Sequence, residues 1–158
     1  MYGNEYIAPK NVGEALEVLE RHPNAKIIAG GTDLLVQMRH RMIEPELIVD
    51  VGRLPFHSIL VDHETVTIGS GVSHAQISNS NLLQEHFPIL VQASQLVGGP
   101  SIRNRSTLGG NLMNASPAAD TIPPLLAYDA EVVIAGKNGS RTLPLSQFYT
   151  GYRQTKLA

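Results

Sequence analysis

The chain has no cysteine at all. Iron–sulfur clusters of the ferredoxin kind are held by cysteine thiolates, so it carries no such cluster of its own. Disulfides, thiolate nucleophiles and a cysteinyl-linked flavin are excluded on the same ground. No apolar run approaches the ~20 residues that a membrane-spanning helix needs. The N-terminus, MYGNEYIAPKNVGEAL, carries neither the basic nor the apolar region of a secretion signal, so the expected location is the cytoplasm, with no membrane partner. An excess of positive charge is missing too: 12 Lys and Arg stand against 14 Asp and Glu, a formal net charge of −2. The basic residues are scattered instead of gathered into a stripe, and nucleic acid is not expected as a partner.

Several catalytic motifs are missing as well. There is no Gly-x-Ser-x-Gly elbow, and Gly136-Lys137 is followed by Asn138 where a Walker lysine would have Ser or Thr, which removes the hydrolase and NTPase readings. The six histidines, at 22, 40, 57, 63, 74 and 86, stand singly, with none of the His-x-x-x-His spacing that puts two ligands on one helical face. They read as surface residues, and no metal ligand or catalytic residue is assigned. Gly69-Ser70-Gly71-Val72-Ser73-His74 starts like a dinucleotide fingerprint but lacks the third glycine, and Ser73 reads better as a helix cap.

What is present suits one soluble domain, or two small lobes sharing a ligand cleft: 158 residues with 42% hydrophobic content can fill a modest core. Asn11 followed by Glu14 makes a capping-box-like start, and Val12, Ala15, Leu16 and Leu19 recur at helical spacing up to His22-Pro23-Asn24. A strand at 26–29, a helix over about 33–41 and a strand at 47–50 then predict a small parallel sheet. After Gly52 the pattern changes to alternation around Asp62-His63-Glu64, a hairpin. Residues 82–97 read as helix with Pro88 suited to a helix start, and Glu131 to Ala135 and Ser140 to Leu143 flank a second hairpin turn at Gly136–Gly139.

Two glycine-rich loops carry the chemistry. In KIIAGGTDLLVQM an apolar strand runs into Gly30-Gly31-Thr32-Asp33 and then a helix, where backbone amides and the helix start favour a phosphate. In GGPSIRNRSTLGGNLMNASPAADTIPPLLAYD, Gly109, Gly110 and Asn111 could form a concave run of amides, Thr107 adds a hydroxyl, and Asp120 could accept from ligand hydroxyls. Arg103 and Arg105 flank Asn104 there; pairing with a phosphate and pairing with a local carboxylate are both open. Met38, Met42 and Met113 read as core filler, with Met113 near enough to the second turn to touch a ligand.

IAGGTDLL together with IRNRSTLGGNLMNASPAADTIPPLLAYDAEV resembles the flavin subunit of the molybdenum hydroxylases, the xanthine dehydrogenase and carbon monoxide dehydrogenase medium-subunit group with its PCMH-type FAD domain. The likeness runs from Tyr6-Ile7-Ala8-Pro9 to Phe148-Tyr149-Thr150-Gly151-Tyr152-Arg153. It implies an α+β fold of two small α/β lobes, about 1–53 with a short parallel sheet and about 54–158 with a larger antiparallel or mixed sheet, and non-covalent FAD in the cleft between them. It implies a cofactor site of Lys26, Ile27, Ile28, Ala29, Gly30, Gly31, Thr32, Asp33 and Leu34, then Ser106, Thr107, Leu108, Gly109, Gly110 and Asn111, with Gly98 and Asp120. The glycine amides would lie at the pyrophosphate and Asp120 at ribose or ribityl hydroxyls. The implied role is an electron-transfer oxidoreductase subunit, inactive on organic substrates alone. It would receive electrons from a small iron–sulfur subunit beside a molybdenum-cofactor large subunit and pass them through FAD to NAD. Molybdopterin and clusters would sit only on those partners, and the substrate, whether purine, aldehyde, nicotinate or carbon monoxide, is theirs to set. Members of the group continue past Arg153 into a C-terminal domain, which is expected to be absent here. A second expectation is therefore a truncated, redox-silent binding or assembly module that keeps the fold without flavin.

Overall fold

The computed structural model describes residues 5–63 and 65–157. Residues 1–4, Glu64 in the expected turn Asp62-His63-Glu64, and Ala158 lie outside the described residues. The chain opens with β1 (Glu5–Ile7), α1 (Val12–Arg21), β2 (Lys26–Ile28), α2 (Leu34–Arg39) and β3 (Leu47–Asp50). The three strands make one parallel sheet in the order β1-β3-β2. Its central strand is the continuous apolar run Leu47-Ile48-Val49, buried throughout, as a strand covered on both faces must be. α1 starts where the Asn11/Glu14 spacing predicts: Asn11 Oδ1 accepts from the Glu14 amide at 2.9 Å, and Glu14 Oε2 accepts from the Lys10 amide at 2.8 Å. The first of these satisfies one of the amides that a helix N-terminus leaves open. β1 has no counterpart in the sequence pattern, because three residues are too few to show a period.

The rest of the chain adds the antiparallel hairpin β4 (Ile59–Asp62) and β5 (Thr65–Ile68), then six helices: α3 (His74–Ser78), α4 (Asn81–His86), α5 (Pro88–Leu96), α6 (Pro100–Arg103), α7 (Leu108–Asn114) and α8 (Ile122–Ala127). It closes with the antiparallel pairs β6 (Glu131–Gly136) with β7 (Gly139–Pro144), and β8 (Tyr149–Gly151) with β9 (Gln154–Thr155). The fold class is α+β as read, and among the described residues the antiparallel part consists of three separate two-stranded sheets. The helical stretch expected over 82–97 is two helices, the second starting at Pro88 as read. Phe87, at φ −133° and ψ 51°, ends α4 and starts α5, since Pro88 has no amide to continue the ladder and drives its predecessor out of helical geometry. Ser73 is the cap expected of it, in a full capping box with Gln76. The core of this part gathers Val72, Ile77, Leu83, Leu90, Val91, Leu108, Leu125, Ile134, Leu145 and Phe148, each worth about 1.5–3 kcal/mol for a side chain fully withdrawn from water. Among the described residues, no helix is long and apolar enough to cross a membrane.

The part that follows the parallel sheet is tied together through backbone. Segment 69–74 pairs on one side with 56–58, through Gly69 N to Ser58 O at 2.9 Å and Gly71 N to Phe56 O at 2.8 Å. On the other side it meets 106–109, through His74 N to Ser106 O at 3.1 Å, Leu108 N to Val72 O at 2.9 Å and Gly109 N to Ser70 O at 2.9 Å. The glycines of the fingerprint-like stretch are thus taken up by close packing: a Cβ on Gly69 would overlap the Phe56 carbonyl. Just before this ladder, Arg105 backs onto the parallel-sheet unit at Gly30, where a Cβ would overlap the Arg105 carbonyl oxygen.

A methyl on Gly30 therefore cannot be housed unless the sheet unit and the Arg105 strand move apart, and Gly30→Ala is expected to cost about 3 kcal/mol. Gly31 sits at φ +76°, and a methyl there would stand 3.1 Å from both Ile28 Cδ1 and Leu35 Cδ1, side chains that can shift. Gly31→Ala is expected to cost about 1–2 kcal/mol, the penalty of left-handed backbone. Urea unfolding of both variants tests the order; equal losses would show that the Gly30 approach is not limiting.

Candidate functional site

A cleft of about 480 Å³ lies between the parallel-sheet unit and the rest of the chain. One wall is Ala29, Gly30, Asp50, Gly52, Arg53 and His57; the other is Gly71, Ser73, Gln76, Asn104, Arg105 and Thr107. The volume falls in the range of small-molecule sites, and the cleft opens at the carboxyl ends of β2 and β3, where parallel sheets bind ligands. Asp50 shapes that end: its Oδ2 accepts from the Tyr6 hydroxyl and its Oδ1 from the Gly52 amide at 2.7 Å. The bond to Asp50, more than burial, holds the Tyr6 phenol proton above its ordinary range.

The two glycine loops turn out to be different objects. In the first, the positive φ of Gly31 reverses the chain between β2 and α2, and Leu35 N closes the turn onto Gly31 O at 3.1 Å. Among the described residues, no acceptor in the protein takes the amide hydrogens of Gly30, Gly31, Thr32 or Asp33. These are donors that water or a ligand must satisfy. The Asp33 side chain does not cap α2; its Oδ2 accepts from Gln37 Nε2 at 2.7 Å.

In the second loop the expected free amides are already engaged. Gly109 N donates to Ser70 O, Gly110 N to Thr107 Oγ1 at 3.1 Å and Asn111 N to Thr107 O at 2.9 Å, so this turn is the capped start of α7. A Cβ on Gly109 would lie 2.6 Å from Ser70 Cβ, so this glycine too serves a backbone approach. Asn111 Oδ1 accepts from the buried Thr121 hydroxyl at 2.7 Å, which ties the exposed Asp120 to the side of α7. Ser106, 8% exposed, has an Oγ with no partner among the described residues.

Of the residues named from sequence, Ala29, Gly30 and Thr107 line the cleft. Lys26, Ile27 and Ile28 form β2 leading to it, Gly31, Thr32 and Asp33 make its turn, and Leu34 opens α2. Leu108, Gly109, Gly110 and Asn111 are the first turn of α7 behind Thr107. Gly98, at φ +47°, lies apart, before α6. Arg103 Nη1 bonds the carbonyls of Val97 and Gly98, fixing that bend, while Arg105 lines the cleft, and among the described residues neither pairs with a carboxylate. Asp50, Arg53, His57, Gln76 and Asn104 were not read as site residues. Asp50 had a signal, since it ends a parallel strand, with Arg53 just beyond it; His57 and Gln76 reach the cleft through the pairing of segment 69–74 with its neighbours.

The donor set suits a dinucleotide with hydroxyls. Free amides in the first loop match a diphosphate, and an exposed carboxylate beside the second matches ribose-type hydroxyls. Over residues 2–158 the chain matches the family described as FAD binding domain in molybdopterin dehydrogenase. It is 37% identical over 155 residues to the carbon monoxide dehydrogenase medium chain of Hydrogenophaga pseudoflava, covering 97% of this chain and 54% of that protein. It is 36% identical over 148 residues to the xanthine dehydrogenase FAD-binding subunit of Escherichia coli O157:H7, covering 92% and 51%. Among solved structures it is similar to carbon monoxide dehydrogenase from Hydrogenophaga pseudoflava lacking the Mo-pyranopterin moiety, at a TM-score of 0.95 and 36% identity over 98% of this chain and 55% of that one. The chain thus spans about half the length of the curated relatives it matches.

His74 behind this wall is wholly buried, and neither ring nitrogen finds a partner among the described residues. Burial pushes its pKa below the ordinary 6.5, with Asp120 opposing the shift. The folded chain then holds a neutral ring while the unfolded chain takes up a proton, so this residue lowers stability as pH falls through 6.5 and below. Urea midpoints at neutral pH and about one unit below 6.5 should separate in the native chain and converge in His74→Leu. An unchanged acid loss in that variant would assign the effect to other groups.

Proposed function

The chain belongs to the family of FAD-binding domains of molybdopterin dehydrogenases, and from that membership we propose that it is the flavin-binding part of a molybdenum-dependent dehydrogenase. In this reading two lobes, about 1–53 and 54–158, clasp non-covalent FAD. The carrying observation is the first loop, where four successive backbone amides from Gly30 to Asp33 lack an acceptor within the described residues. Those amides would take the diphosphate, and the Asp120 carboxylate would accept from ribose or ribityl hydroxyls. Thr107 and the turn Leu108–Asn111 would form the opposing wall, with Gly110 open on its outer side apart from Thr107 Oγ1. Lys26, Ile27, Ile28, Ala29, Leu34, Ser106 and Gly98 complete the proposed contacts.

FAD supplies the redox chemistry when bound, accepting electrons singly and releasing them as a pair. The protein's part is to bind, orient and shield it, so no side chain here has to act as acid or base. With no cysteine for clusters, the chain would depend on a small iron–sulfur subunit and a molybdenum-cofactor large subunit for electrons, and on NAD to remove them. The substrate class belongs to those partners.

Purified chain should be yellow and release FAD on denaturation; a colourless protein that takes up no added FAD would favour a flavin-free assembly role. Asp120→Ala should weaken FAD binding about ten-fold by removing a charge-assisted hydrogen bond, read by flavin fluorescence titration. Unchanged affinity would return Asp120 to a structural role at the α8 start. The FAD-loaded chain should remain oxidised with purine, aldehyde or nicotinate until iron–sulfur and molybdenum subunits are added. Reduction by any of these without partners would overturn the carrier role.

A further inference from the structure

The cleft carries two guanidinium groups, one from each wall: Arg53 on the sheet side and Arg105 opposite. Among the described residues neither pairs with a carboxylate, in contrast to Arg103, whose Nη1 is taken by the carbonyls of Val97 and Gly98. Asp50, the one carboxylate in the lining, accepts instead from the Tyr6 hydroxyl and the Gly52 amide. The backbone under both arginines is fixed. Gly52, before Arg53, donates to Asp50 Oδ1, and Leu54, after it, is buried and donates to Val51 O at 3.1 Å. The amides of Arg105 and Ser106 both donate to Ile102 O, at 2.9 and 2.7 Å, and the Arg105 carbonyl lies against Gly30. Arg105 therefore projects from beside the residue that carries the first of the free amides.

We infer that Arg53 and Arg105 are a clamp that holds a phosphate group of a nucleotide between the two walls. Like charges in one cavity repel, and an anion placed between them turns that repulsion into attraction. A guanidinium offers parallel N–H donors in a planar fork, which matches two oxygens of one phosphate. The cavity, at about 480 Å³, is larger than a phosphate alone would fill, so the phosphate is part of a nucleotide-sized ligand. Asn104 and Gln76 add side-chain amides to the same lining. None of these four residues is among the contacts assigned to FAD above. The phosphate chemistry has two sources, the diphosphate of FAD itself or a free nucleotide. The first rests on the flavin reading; the second does not.

The test is calorimetric titration of the full chain with ADP and with inorganic pyrophosphate, freed of FAD and then loaded with it. The FAD-free chain should bind both, with affinities that fall about ten-fold in Arg53→Met and in Arg105→Met, as loss of a charge-assisted hydrogen bond requires. Arg105→Lys, which keeps the charge without the fork, should recover part of the loss. Arg39→Met removes the same charge from the exposed end of α2, outside the cleft, and should change nothing. Both cleft arginines are exposed, so urea midpoints of their variants should match that of the native chain. Exclusion of ADP by bound FAD, with FAD affinity lost in both variants, identifies the clamped group as the cofactor's own diphosphate. Binding of ADP beside FAD, with the same dependence on both arginines, identifies a separate nucleotide. If the chain takes up no FAD, the flavin reading fails and the ADP titration still decides the clamp. No binding of ADP or pyrophosphate to the FAD-free chain, affinities unchanged in both Met variants, or an equal loss in Arg39→Met would overturn it.

Discussion

The contact on which the rest depends is the approach of Gly30 to the Arg105 carbonyl. There is no space for a side chain between them. Because the two backbones touch, the end of the parallel sheet is brought against the strand-like segment that leads into α7, and the cleft forms beside the point of contact. The glycine loops therefore divide the work. The first keeps its amides free and its backbone reversed. The second uses all of its amides to cap a helix and to pair with Ser70, which makes it a wall instead of a donor array.

Local chemistry was the part that the sequence made legible. Asn11 with Glu14 and Ser73 with Gln76 both form the caps that their spacing requires, and the Gly136–Gly139 turn joins two paired strands as the pattern says. What was not legible is whatever depends on approach in three dimensions. A Gly-Gly pair looks the same in sequence whether it reverses the chain, as Gly31 does at positive φ, or closes against backbone, as Gly30 and Gly109 do. The break at Phe87 was visible in Pro88, whose missing amide suits a helix start. Asp50, His57 and Gln76 sit in three separate stretches with no shared period; the ladder through 69–74 brings His57 and Gln76 to the cavity that Asp50 lines from the end of β3.

Two histidines near this junction show how differently the fold can place one residue type. His74 is withdrawn from water with nothing to bond among the described residues, which disfavours its charged form. His57 is exposed, and its ring nitrogens each lie 2.9 Å from a backbone carbonyl oxygen, those of Gly71 and Gly52. Their isolation in the sequence made both read as surface residues, which holds for the exposed His57 and fails for His74, buried in the layer behind the wall.

The ladder through 69–74 also bears on how the chain reaches this state. Its neighbour 56–58 continues the β4–β5 hairpin, but 106–109 comes from a distant part of the chain, and Gly30 meets Arg105 across a still longer separation. Contacts of that kind form slowly, because the intervening chain must lose its freedom before any pairing rewards it. The helices and hairpins can assemble early from near neighbours, while the cavity exists only after the last of these distant segments has docked. Ligand capture would then be a late event in folding, and a chain that has captured its ligand is one whose most remote segments have already found each other.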